Sequence, residues 1–119
     1  MVKVMGQGDQ HLDCRVLLDN CSDESFISSS LVTRLGLKRQ RLATPQNVQA
    51  LQGVGVATIT EAAQIKLTSR YNPTTIISVV ALIVKSIGGQ YPHAPLDTKD
   101  WSHIPAEGLA DPSFHNPGP

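Results

Sequence analysis

From Leu12 to Asp19 the residues alternate with a period of two. Cys14, Val16 and Leu18 fall on one face, and Asp13, Arg15, Leu17 and Asp19 on the other, which predicts a strand ending on an acid. The next run, Asn20-Cys21-Ser22-Asp23-Glu24, is polar and turn-like. After Ser25-Phe26-Ile27, residues Leu31, Val32 and Leu35 sit at helical spacing. Ser28 or Ser29 can cap the start, and Gly36 lies where a left-handed residue ends a helix, so a helix of about two turns is expected over 28–35. Gln46–Leu51 and Val56–Ser69 read as the arms of a long β-hairpin joined by Gln52-Gly53-Val54-Gly55, with Ile65 and Leu67 on the buried face of the return arm. A turn at Tyr71-Asn72-Pro73-Thr74 leads into Ile76–Val84, which is apolar on both faces as a central strand would be.

From Ser86 onward the pattern breaks. Of 8 prolines, Pro92, Pro95, Pro105, Pro112, Pro117 and Pro119 fall here, with Gly88, Gly89, Gly108 and Gly118. This predicts an irregular segment over 86–119, pinned to the body by Trp101, Ile104, Leu109 and Phe114, with at most a helical turn at Ala106–Ala110. At 119 residues the chain suits one hydrophobic core. Residues 1–11 are taken as an N-terminal lead-in and 12–119 as a single domain. The core must come from aliphatics, because aromatics are only 4% of the chain, and that palette favours strands.

Lys+Arg 10 against Asp+Glu 10 gives a net charge of +0, which excludes nucleic-acid binding by bulk charge. Lys38-Arg39-Gln40-Arg41 reads as a solvated connection. No run approaches the roughly 18 apolar residues of a membrane span. No secretory signal opens the sequence, so an intracellular, cytoplasmic setting is expected. Without an entry signal, the Asn20-Cys21-Ser22 glycosylation pattern should not be used. Cys14 and Cys21 are too few for a disulfide scaffold and are read as free, buried thiols. No metal or other cofactor is expected. His93, His103 and His115 with Asp97, Asp100 and Asp111 match no compact ligand spacing, and the glycines at 53 and 55 are followed by a strand-like Thr58-Ile59-Thr60 rather than the helix of a dinucleotide loop.

By its local sequence Asp19 is either a strand-end residue capping its own turn or an acid presented at a sheet edge. Val16-Leu17-Leu18-Asp19 and the loop into Ser25-Phe26-Ile27 resemble the opening of retropepsin-like aspartic proteases, in which an aliphatic pair precedes Asp, then Ser or Thr, then Gly. Arg34-Leu35-Gly36-Leu37, Leu51-Gln52-Gly53-Val54-Gly55, Ser69-Arg70-Tyr71-Asn72-Pro73 and Leu109-Ala110-Asp111-Pro112-Ser113-Phe114 extend the resemblance to the protease region of BEL/Pao retrotransposon polyproteins.

That resemblance implies a mainly β, retropepsin-like half-barrel with one short helix. It implies an aspartic endopeptidase with Asp19 as catalytic acid/base, Asn20, Cys21 and Ser22 supporting the acid loop, and Leu51, Gln52, Gly53, Val54 and Gly55 as a flap over substrate. Such chemistry needs two carboxylates sharing one proton. With a single acid loop in the chain, catalysis would require a homodimer in which each copy supplies Asp19. The substrate would be an extended peptide, the polyprotein containing the domain. Asn20 and Cys21 stand where the family has a hydroxyl residue and glycine, and Cys21 is expected to strain the loop. The chain also stops at Pro117-Gly118-Pro119, before the aliphatic, glycine-bearing strand that continues the family pattern. Those departures support a second reading, a catalytically inactive relic kept for dimerisation or peptide binding.

Overall fold

The longest aliphatic stretches pair with each other, and the rest of the sheet is built outward from them. The computed structural model describes residues 1–49, 56–105 and 107–118. In chain order its elements are β1 (Val2–Met5), β2 (His11–Cys14), β3 (Phe26–Ser28), α1 (Ser29–Arg34), β4 (Gln40–Gln49), β5 (Val56–Ser69) and β6 (Ile76–Val84). They form an open sheet of order β2-β1-β5-β6-β3, with β4 also paired to β5. Neighbours are antiparallel except β3 and β6, which run parallel with Phe26 opposite Leu82 and Ser28 opposite Val84. This mainly β, open-sheet architecture is that expected of a half-barrel.

The helix forms where its signals fall. Ser28 accepts the Leu31 N–H on its hydroxyl, Leu35 closes the last turn, and Gly36 takes φ +63°, a conformation that costs other residues about 1 kcal/mol or more. Its inward side chains, Val32 and Leu35, are the largest fully buried ones. Val32 joins Ile27, Ala63, Ile65, Ala81 and Ile83 in the principal core. Alternate residues serve a second cluster, in which Leu82 packs with Ile59 and Ala62.

Several expectations are corrected. Residues 1–11, expected only as a lead-in, contribute β1, which pairs with β2 on one side and β5 on the other and buries Val4. The hairpin's first arm begins at Gln40, not Gln46. Pairing shifts register between Arg41 and Gln46, a span containing Pro45, which has no N–H to offer a ladder. The basic run Lys38–Arg41 is therefore partly strand. Arg39 donates to the Ser29 carbonyl and to the Ser29 and Thr33 hydroxyls, and lies 3.5 Å from Glu61. It fastens α1 to β5 rather than facing only water.

β6 spans the expected Ile76–Val84, but only its C-terminal half is buried, because β3 covers just residues 82–84. Ile76 and Val80 remain 55% and 60% exposed. After Val84 the described residues hold no further helix or named strand, as the prolines dictate, and Glu107–Ala110 make bends rather than a helical turn. Trp101 and Phe114 stack with ring centroids 6.2 Å apart, and together with Ile104 and Leu109 they line a cavity of about 270 Å³ formed by residues of the segment itself. These side chains gather with one another, and polar contacts tie the segment to the body. Tyr71 Oη donates to the Leu109 carbonyl at 2.6 Å, and Arg15 bonds several of its groups.

Candidate functional site

The strand expected over Leu12–Asp19 stops at Cys14. A strand needs a neighbour for its backbone groups, and alternation within one segment cannot say whether such a neighbour exists. Beyond Cys14 the chain runs outside the sheet, with Val16 37%, Leu17 84% and Leu18 92% exposed. The two faces expected for Val16 and Leu18 against Leu17 are therefore not realised. Asp19 follows on an exposed loop that rejoins the sheet at β3.

Within the loop the side chains bond locally. Asp19 Oδ1 accepts the Cys21 N–H at 2.9 Å, a turn in which the carboxylate stands in for a backbone carbonyl. Cys21 Sγ donates to Asn20 Oδ1 at 3.5 Å, and Ser22 Oγ donates to the Glu24 carbonyl at 2.8 Å. Asn20 and Cys21 thus share one compact turn with Asp19, while Ser22 bonds forward to Glu24. The strain expected from Cys21 is absent, since among the described residues no residue other than glycine has a positive φ. Cys21 is also exposed rather than buried. Cys14 is half-buried, outside the core clusters, and burial raises its thiol pKa above the ordinary value against the pull of Arg34, with Asp13 adding to the rise.

The hairpin arms β4 and β5 converge with Gln49 opposite Val56. The expected flap residues Leu51, Gln52, Gly53, Val54 and Gly55 lie outside the described residues. Among the described residues no group of three or more His, Cys, Asp or Glu side chains stands close enough to hold a metal ion. No described helix is long and apolar enough to cross a membrane.

Arg15, expected on one face of a strand with Asp13, Leu17 and Asp19, is instead the first residue past β2 and bonds groups of the 91–118 stretch. Only the pairing of an Arg beside the acid loop with an acid in a proline-rich stretch hints at this, because its partner Asp111 lies 96 positions away.

The sheet is open and mainly β, consistent with a half-barrel protease fold, and Asp19 lies on a short polar loop between β2 and β3. The chain belongs to the aspartyl protease family, whose model matches residues 2–98. No curated protein and no solved structure matches the chain.

Proposed function

We propose that this chain is a retropepsin-like aspartic endopeptidase domain of a BEL/Pao-type retrotransposon polyprotein, acting as a homodimer on extended peptide segments of that polyprotein. The observation that carries the reading is the Asp19 turn: in a chain of the aspartyl protease family, an exposed carboxylate sits with one oxygen fixed by the Cys21 N–H. Two such carboxylates brought together across a two-fold axis share one proton. The charged partner takes a proton from water, and the neutral one hydrogen-bonds the scissile carbonyl as the oxyanion develops. Asn20, Cys21 and Ser22 hold the turn, while residues 51–55 close over the peptide and exclude water.

The second reading, a dimerisation or peptide-binding relic, rests on Asn20 and Cys21. Cleavage of an unbiased peptide library from acidic to neutral pH separates the two, with the parent, Asp19→Asn, and the double variant Asn20→Ser/Cys21→Gly compared. Activity in the parent that disappears with Asp19→Asn establishes the dyad. A silent parent with an active double variant establishes the relic, and silence in all three rejects catalysis.

A further inference from the structure

The acid loop hangs between two anchors. Downstream, the Ser25 carbonyl accepts the Leu82 N–H at 2.8 Å, where β3 meets β6. Upstream, the anchor is the Arg15 side chain. Its Nε donates to Asp111 Oδ2 at 2.6 Å, Nη2 to the Ser113 carbonyl at 3.1 Å, and Nη1 to the Tyr91 carbonyl, with the Asn116 and Gly118 carbonyls at 3.4 Å. A planar guanidinium can satisfy acceptors spread around it in this way, whereas a lysine ammonium is a single point of charge.

The acceptors are held in place by the segment. Asp111 Oδ1 accepts the Ser113 N–H and hydroxyl at 3.0 and 2.9 Å. Tyr91 and Gly118 exchange backbone hydrogen bonds of 3.0 and 3.3 Å, so both ends of the 91–118 stretch meet at the guanidinium. A Cβ at position 118 would lie 2.9 Å from Arg15 Nη1, so glycine permits the approach. Four carbonyls and a carboxylate converge here, and their negative ends would repel one another without the cation. Closure of the segment and placement of Arg15 are therefore one equilibrium. Asp111, Ser113, Asn116 and Gly118 lie beyond the residues matched by the family model, 2–98.

Between Arg15 and Asp19 the chain has little else to fix it, since Leu17 and Leu18 face solvent. We propose that Arg15 is a positioning residue for the Asp19 turn, and that the 91–118 segment acts on the site through it. The functional part of this inference rests on the reading of Asp19 as a catalytic residue; the structural part does not. The Cys21 amide, which donates to Asp19 Oδ1, reports the turn directly.

The test compares the whole chain with Arg15→Gln, Arg15→Lys, Asp111→Asn, Gly118→Ala and Tyr71→Phe by amide NMR and peptide cleavage. Arg15→Gln, Asp111→Asn and Gly118→Ala should move the Cys21 resonance together with those of 91–118 and lower kcat several-fold with KM little changed. Arg15→Lys should restore only part of the loss. Tyr71→Phe, which frees Leu109 without touching Arg15, should leave the Cys21 resonance in place. Should Arg15→Gln fail to fold, Asp111→Asn and Gly118→Ala carry the same comparison. A Cys21 resonance unmoved while the segment loosens overturns the proposal, as does an equal shift in Tyr71→Phe. A parent that cleaves no peptide defeats the catalytic reading alone, because the amide comparison still decides whether Arg15 sets the turn.

Discussion

Asp19 and Cys21 make opposite demands on an experimenter. Asp19 is exposed and its one described hydrogen bond is accepted through an oxygen that Asn also possesses, so Asp19→Asn should change thermal stability by no more than about 0.5 kcal/mol while removing any peptidase activity. The two thiols should separate in a labelling time course. Exposed Cys21 should react quickly with a disulfide reagent, and half-buried Cys14, its pKa raised by burial, should react only slowly until denaturant is added. Asp111 gives a pH signature. Burial pushes its pKa up, but hydrogen bonds from Ser113 and Arg15 together with the Arg15 charge outweigh that and hold it below the ordinary 3.8. A lowered folded-state pKa means its contribution is complete above the ordinary value and fades as pH falls through the lowered one. Melting curves over acidic pH should show that loss in the parent and a flatter profile in Asp111→Asn. None of this was legible from the residues near Asp111, because its cationic partner sits at the far end of the chain.

At the scale of elements, what could be read was whatever local chemistry decides. The helix was visible because Ser28, the Leu31-Val32-Leu35 spacing and Gly36 act within a few residues of each other. Leu35, fully buried, should cost about 2–5 kcal/mol on replacement by Ala, and Ser28→Ala about 1 kcal/mol for the lost cap, both measurable by denaturant titration. The extent of β5 and β6 was visible for the same reason, in their long apolar or alternating runs. The strand expected over Leu12–Asp19 ends at Cys14, and an unexpected strand forms over Val2–Met5, because pairing, rather than pattern, decides both. Val4 has β2 and β5 beside it, while Leu18 has no strand neighbour among the described residues. The Asp19 turn was partly legible, since its acid and polar loop were recognisable, but Cys21 looked buried and strained because a residue replacing glycine brings no record of the φ it will adopt.

The whole molecule is spread out. Its radius of gyration, 16.0 Å, exceeds the roughly 13–14 Å of a compact domain of this length. Leu17, Leu18, Ile76, Ile77 and Val80 all face solvent. Leu17 and Leu18, which directly precede Asp19 in the chain, are the first candidates for the surface of the proposed homodimer. Leu17→Ser/Leu18→Ser should leave the melting temperature of dilute protein nearly unchanged yet weaken self-association at least tenfold, as read by sedimentation velocity over a concentration series. Self-association that is unaffected by that pair, or absent in the parent, would rule out Leu17 and Leu18 as the surface of the proposed homodimer.

The parallel pairing of β3 with β6 also sets an order of events in time. β3 finds its partner only after the β4–β5 hairpin and the turn into β6 have been made, because Phe26 pairs with Leu82 across all of that intervening chain. Contacts between neighbours in sequence form early, and those that close long loops come late. On a ribosome, the meander would assemble first as its strands emerge. The turn bearing Asp19 would gain its hold at Ser25 only once Leu82 was out, and Arg15 would meet its partners later still, as residues 111–118 emerged. A nascent chain would in this way carry Arg15 without its partners until residues 111–118 had emerged.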